Sequence, residues 1–511
     1  MSDWTSGYVA DIGYTFGYYN ELNPNRGTLA FLNSGYVPPS LGIHCELGYG
    51  QGLSINLHSA ASGTTWYGND FNPSQAAFAK SLASASGAEA HLTDEDFANF
   101  CNRSDLPEFD SIGLHGIWSW ISDENRSIIV DFIRRKLKVG GALYISYNTQ
   151  PGWATFAPMR HLMTEHASVM GSTGKGVVSR VEGALEFAQK LLDANPLFAR
   201  ANPGVVDRLK KVSEQNRHYL AHEYFNKDWH PMHFATMSDW LSPAKISYAC
   251  SANYLDHIDA INLTPEQQAL LKEIPDPTFK ESVRDFMLNQ QFRRDYWIKG
   301  AQKLTLLEQA ELIKNHRLIQ ITPAQHIHLK ASGSLGEVNL NENVYKPIIE
   351  VMSDHKHRSI EEIASLVNSK GVGLAQVAQA SMMLVGTGNF TSLQSSGNTT
   401  KSKQYTKKLN QTLIEKAKYS GDIQYLASPV TGGGIVVNRV EQLILSNLIQ
   451  GKKDSNDLVQ STWSILNLQN HKLVKDGAAI QSDEDNLAEM SRLVSEFKEK
   501  RLPILKALEV L

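Results

Sequence analysis

Apolar and polar positions along the chain fall into successive regimes. From Leu41 to Asn148, short apolar runs alternate with helical patterns: LGIHCEL, a helix from Leu53, TTWYGND, a helix around Ser74 to Leu82, IGLHGIWSW, an amphipathic helix from Asn125 to Lys136, and GALYISYN. Strands at this spacing between helices predict βαβ units and a mostly parallel sheet. Between Pro158 and Leu220 the strands stop, and VEGALEFAQKLL puts Leu185, Ala188, Leu191 and Leu192 on one helical face. A strand returns at KISYACSANY, Thr264 and Gln267 have the spacing of a capping box, and FRRDYWIKG is the expected final strand.

The flanks read differently. Residues 1–40 are rich in tyrosine, glycine and proline, with a short helix expected over Leu29 to Leu32 and a loop at Pro38 and Pro39. Beyond about Gln320, YKPIIEVM, SIEEIASLV and LAQVAQASMMLV predict three short helices before a turn at GTGN. SLQSSGNTTKSKQ reads as a polar linker, and DEDNLAEMSRLVSEFKEKRL as a closing amphipathic helix.

With 511 residues the chain exceeds one hydrophobic core, so about two to four domains are expected. Hydrophobic residues make up 42% and charged residues 20%, which is ordinary for a globular protein. A net charge of −4 gives no global field toward nucleic acid or anionic membrane. The three cysteines are scattered and odd in number, which argues against a disulfide framework. With no basic start followed by an apolar run, and no stretch approaching roughly 20 apolar residues, a cytoplasmic location is expected.

The chemistry concentrates in CELGYGQG, residues 45–52. A dinucleotide fingerprint, Gly-x-Gly-x-x-Gly, seats a pyrophosphate on the following helix. Here the glycines are Gly48, Gly50 and Gly52, and Leu53 stands where the third fingerprint glycine belongs. Glu46, two residues before the first glycine, would repel a pyrophosphate and attract a cation. S-adenosylmethionine suits such a turn, because it carries a sulfonium, an ammonium and an adenosine but no phosphate. Asp70, after the second strand, would accept hydrogen bonds from ribose hydroxyls, although a dinucleotide fold uses an acid in the same place.

The order CELGYGQG, YGNDFNP, DEDF, IGLHGIWSW, LKVGGALYISYN resembles class I S-adenosylmethionine-dependent methyltransferases over roughly the first 300 residues. YTFGYYNELNP, HEYF and FRRDYW narrow it to bacterial methyltransferases with a methyltransferase regulatory domain, similar to rickettsial lysine methyltransferases acting on an outer-membrane protein. The resemblance implies an α/β, Rossmann-like seven-stranded sheet with a helical insertion, plus a mainly α C-terminal region with a winged-helix-like unit. The expected division is a cofactor-binding core at 1–160, the insertion at 161–220, a regulatory segment completing the sheet at 221–315, a helical, winged-helix-like domain at 316–400 and a C-terminal helical domain at 401–511.

The resemblance further implies that Glu46, Gly48, Gly50 and Gly52 line the methionine end, Asp70 and Phe71 the ribose, and Asp96 with Phe97 the adenine, with Asp94 the rival to Asp96. Tyr14, Tyr18 and Tyr19 would fold over the cofactor, with ordinary packing as the competing reading. Strand ends, where open parallel sheets bind ligands, supply the acceptor-side candidates His115, Trp118, Tyr147, Asn148 and Trp153. His222, Glu223 and Tyr224 join them if the chain folds back onto the cleft. His115, as proton acceptor or orienting donor, is the sharpest of these, and a hydrogen-bonded structural histidine is the competing reading.

The implied partner is a protein substrate, such as a surface or outer-membrane protein before export, and the implied product is S-adenosylhomocysteine. Methylation of a small molecule, or cofactor binding without turnover, stays open, and a homodimer is an analogy without a readable interface. His218, His222, His230 and His233 cluster without completing a zinc motif, so no metal is expected. TGGGIVVN lacks the lysine of a phosphate loop and reads as a turn. GLAQVAQASMMLV carries no Lys or Arg to meet phosphates, so neither nucleic acid nor membrane is an expected partner.

Overall fold

The structure is a computed structural model that describes residues 15–171 and 176–511. Its centre is a seven-stranded sheet: β1 (Ile43–Leu47), β2 (Thr65–Asn69), β3 (Ala90–Thr93), β4 (Phe109–Leu114), β5 (Leu137–Asn148), β6 (Ile246–Ser251) and β7 (Phe292–Lys299). The spatial order is β3-β2-β1-β4-β5-β7-β6. The first five strands run parallel, and β7 lies antiparallel between β5 and β6. FRRDYWIKG is thus the last strand in sequence but an interior one in space. β1 is buried from His44 through Leu47, as expected of a strand covered on both faces.

Helices start where the sequence supplies caps. Asn23 accepts from the Asn25 amide at the head of Pro24–Asn33, which begins earlier than the apolar run Leu29 to Leu32 suggests. Asn72 caps Pro73–Ser86, Ser122 caps Asp123–Lys136, and Thr264 with Gln267 forms the capping box of Pro265–Lys272. Between β5 and β6 the chain is helical, and Met163, Ala184, Ala188, Leu209 and Leu220 share a core there.

The interior of β7 carries a concentrated ionic group. Arg293 donates to Asp295 at 2.9 Å, to Asp285 at 2.6 Å and to Glu281 at 2.8 Å, with its guanidinium 4.4 Å from the Phe234 ring centroid. The Tyr147 hydroxyl adds a bond to Asp295 at 2.8 Å.

Beyond the sheet, β8 (Arg317–Gln320) is followed by the hairpin β9 (Lys330–Gly333) and β10 (Gly336–Asn339) and the helix Glu342–Met352. Then come β11 (Arg358–Ser359), the helices Ile360–Val367 and Leu374–Gly386, and β12 (Phe390–Ser392). β8 pairs with β11 on one side and β12 on the other, so β12 is an edge strand. A further hairpin, β13 (Tyr425–Ser428) and β14 (Gly433–Val436), contains TGGGIVVN, with Gly432 in the turn at φ +70°.

SLQSSGNTTKSKQ is not a linker: most of it lies in the helix Ser396–Ala417. Ser402, Thr406, Leu409, Asn410 and Leu413 form its buried stripe at helical spacing, with the Ser402 hydroxyl donating to the Asn398 carbonyl at 2.8 Å. That helix packs on Leu53–Ser62 and Pro73–Ser86 of the sheet layer. The closing helix is also interrupted: Asp483–Glu496 passes through a π-turn at Phe497–Arg501 before Leu502–Ala507.

Removing the Arg293 cation leaves buried carboxylates unpaired. Arg293→Met is expected to lower unfolding free energy by about 3–5 kcal/mol, read as a lower urea midpoint. Arg134→Met, which breaks an exposed pair with Asp131, is expected to shift it by no more than about 0.5 kcal/mol. Equal midpoints for the two variants would refute the assignment.

Candidate active site

Between β1 and β4 the strand order changes direction, and ligands of open α/β sheets bind beyond the strand ends at such a point. A cleft of about 750 Å³ opens there. Its floor is the turn Gly48 to Gly52. The Gly50 amide donates to Asp70 at 2.8 Å, and the Asn72 amide donates to the other Asp70 oxygen at 2.9 Å. Each carboxylate oxygen keeps a further lone pair for a ligand. Gly52 sits at φ +68°, and a Cβ there would come within 2.4 Å of the Ala79 Cβ, so glycine lets the two helices close around the turn.

Glu46 is 3% exposed and lines the cleft, and its Oε2 has no hydrogen-bond partner among the described residues. Burial, reinforced by Asp70, pushes its carboxyl up to about 8. Burial also raises Asp70 to about 6 against the two amide bonds. Two adjacent buried carboxyls, one with a bare oxygen, fit a ligand that brings N–H donors and positive charge. Other described lining carboxylates are Asp96, Glu124, Glu223 and Asp228, against one lysine, Lys227.

His115 forms the wall at the end of β4. Its Nδ1 is 2.8 Å from the Tyr144 hydroxyl, and its ring stacks on Tyr19 with centroids 3.6 Å apart. Burial lowers its pKa to about 4, so the imidazole is neutral at pH 7.

The cleft gathers Tyr19, Glu46, Gly48, Gly50, Gly52, Asp70, Phe71, Asp96, Phe97, His115, His222 and Glu223. Asp96 caps the Asn99 amide at 2.7 Å beside the cleft, whereas Asp94 pairs with Lys80 at 2.7 Å in the open. Tyr14 lies outside the described residues. Six candidates are not on the wall, among them Tyr224, which is buried against Trp153 and Phe156. Tyr18 packs against Tyr425 instead, and its hydroxyl is 3.2 Å from His58 Nε2. Trp118 is fully buried against Trp240. Tyr147 is held by Asp295, and Asn148 accepts from the Trp153 indole at 3.1 Å. Trp153 is packed between Tyr224 and Trp229.

The physical reason is shared by the last three. β7 runs beside β5 as far as Asn148, and Thr149 and Gln150 bond to Gln291 and Met232, so the end of β5 is roofed by later chain. The sequence reading missed Trp120, Glu124, Asn226 and Asp228. Asn226 and Asp228 follow HEYF directly, which is the signal that extends the motif. Among the described residues no group of three or more His, Cys, Asp or Glu is placed to hold a metal ion, and no helix is long and apolar enough to cross a membrane.

Comparison with known proteins agrees with this geometry. Residues 216–299, which include β6 and β7, match the family described as "Predicted methyltransferase regulatory domain". Uncharacterized protein sll1526 of Synechocystis sp. is 39% identical across 99% of both chains, and uncharacterized protein RP789 of Rickettsia prowazekii is 22% identical over 78% of this chain and 76% of its own. In fold, the chain is similar to PKMT2 from Rickettsia typhi, a structure in complex with AdoHcy, with TM-score 0.70 and 18% identity over 97% of this chain and 100% of that one. A seven-stranded sheet with this strand order, a phosphate-free glycine turn with a buried glutamate and the matched segment lead to one conclusion: the chain belongs to the class I S-adenosylmethionine-dependent methyltransferases that carry a methyltransferase regulatory domain.

Proposed function

We propose that this methyltransferase acts on the side-chain amine of lysine in a protein. The observation that carries the reading is the excess of carboxylates around the cleft: Glu46, Asp70, Asp96, Glu124, Glu223 and Asp228 against Lys227. Such a field concentrates cations, which suits both a sulfonium cofactor and an ammonium acceptor. When bound, S-adenosylmethionine supplies an electrophilic methyl group and leaves as S-adenosylhomocysteine.

Glu46 and Asp70 hold the cationic and ribosyl ends, and Asp96 with Phe97 borders the adenine. His115 stays neutral at neutral pH. It is too weakly basic to retain an ammonium proton, so its role is to orient the amine lone pair through a hydrogen bond while Tyr144 fixes the ring. Glu223 draws the acceptor in as a cation, and the proton it sheds before attack passes to solvent. On this reading the reaction takes place in the cytoplasm, before export of a surface-protein acceptor, and the free, buried thiols of Cys45, Cys101 and Cys250 support that setting.

Cofactor binding is expected to depend on pH. Because Glu46 is neutral below about 8 in the free protein and ionised beside a cation, affinity should rise with pH toward 8, by up to about tenfold per pH unit, with proton release. In the ligand-free protein the sign is opposite: the raised carboxyl contributes stability in full below its unfolded pKa of about 4.3 and loses it as pH rises through about 8. Calorimetry in buffers of different ionisation enthalpy checks this, and Glu46→Gln should abolish both trends; a wild-type affinity flat with pH would contradict it.

Incubation with methyl-labelled S-adenosylmethionine and fractionated cell extract should place label in protein, recovered as methyl-lysine after hydrolysis. His115→Ala should lower kcat by about tenfold to a hundredfold with little change in cofactor Kd. Label confined to small molecules, or full activity in the variant, would overturn the respective assignment.

A further inference from the structure

A second cavity, of about 660 Å³, lies on the other side of the Tyr19 and His115 stack, and both rings line both cavities. Its remaining wall comes from distant parts of the chain. Arg26 and the short segment Tyr18 to Glu21 contribute on one side, Phe292 and Arg294 of β7 on another, and β12, β14 and Arg501 on the third. The C-terminal half therefore builds most of a chamber that ends at the candidate catalytic histidine.

The two cavities differ in charge. Among the described residues, the charged side chains on the second wall are three arginines, Arg26, Arg294 and Arg501, and one carboxylate, Glu21. Glu21 pairs with Arg294 at 2.6 Å, and Arg501 is met from outside the wall by Glu441 at 3.3 Å. Three guanidiniums thus face two carboxylates. The main chain matters as well: β12 contributes Phe390, Thr391 and Ser392, and β14 contributes Gly434, Ile435 and Val436. β12 is an edge strand, and an edge offers backbone groups to an added strand, whereas on β14 the Val436 carbonyl accepts from Arg501 and the Gly434 backbone is hydrogen-bonded to Tyr18.

We propose that this second cavity docks an extended acidic segment of the protein acceptor, flanking the lysine that passes the Tyr19 and His115 pair to reach the methyl group. The proposal rests on the protein-lysine reading above and adds the place and charge of the flanking sequence. A chamber with the β12 edge and excess arginine suits a polypeptide bearing carboxylates, and the carboxylate-lined cleft next to it suits the amine. It assigns β12, the hairpin β13–β14 and Arg501 to acceptor selection.

The test separates docking from turnover. Fluorescent peptides carrying one lysine among acidic, uncharged or basic neighbours are titrated into the full chain saturated with S-adenosylhomocysteine, and anisotropy is read. The acidic peptide is expected to bind about tenfold tighter than the uncharged one, a preference that weakens with salt. Thr322→Glu and Thr391→Glu, which put a carboxylate on the partly exposed wall without removing an arginine, should each erase that preference while leaving cofactor affinity unchanged. Arg501→Lys should retain it. Equal or tighter binding of uncharged or basic peptides, no peptide binding, or an acidic preference that survives both threonine variants would overturn the proposal. Methyl transfer to the same peptides is scored separately: acidic docking without transfer keeps this inference and sinks the lysine reading, and transfer without acidic preference does the reverse.

Discussion

Burial of the helix Leu53–Ser62 on every side is the constraint on which the rest of the molecule depends. All ten of its residues are buried, between the sheet on one face and the helix Ser396–Ala417 with the hairpin β13–β14 on the other. Its last carbonyls are met from the C-terminal region, by Gln394 on Ala61 at 2.7 Å and Lys401 on Gly63 at 2.6 Å. A helix end buried without such donors would be costly, and a lysine there also suits the helix dipole. The glycine turn is the N-terminal end of this same helix, so the C-terminal half clamps the element that forms the cofactor floor.

Two buried ionic groups show how differently the fold treats charge. Around Arg293, three carboxylates share one guanidinium that also lies over the Phe234 ring, which ties β7 to its neighbours. At Glu46 the partner is missing, and the carboxyl is pushed toward its neutral form. The first arrangement carries its own cation, although Asp285 keeps a bare Oδ2 and burial pushes its carboxyl up to about 7. The second is a local cost that a cationic ligand removes, which is how a binding site differs from a structural ion pair.

Much of this was legible in the sequence. The strand and helix alternation from Leu41 to Asn148, the capping box at Thr264 and the phosphate-free turn all follow from periodicity, cap chemistry and glycine spacing. What escaped depended on long-range packing. The polar run from Ser395 reads as a linker because its serines, threonines and asparagine are individually poor helix formers, and only the partner surface shows that Ser402, Thr406 and Asn410 face inward. Tyr147, Asn148 and Trp153 read as cleft residues because a strand end is normally open, and β7, the residues just before it and Met232 close this one. Helix Leu53–Ser62, without a polar face, gave a weak amphipathic signal for the same reason that it is structurally central.

The clamp on that helix also has an order in time. The turn at Cys45 to Gly52 is made early, yet the side chains that cap its helix lie more than 330 residues later, as with Gln394 to Ala61 at a separation of 333. At roughly 5–20 residues per second, synthesis separates the two by on the order of tens of seconds. For that interval a helix that ends fully buried waits beside a growing sheet without its cover. The cofactor floor thus leaves the ribosome well before the segments that secure it, and a chain that stops short of the cover exposes surface of the kind chaperones bind.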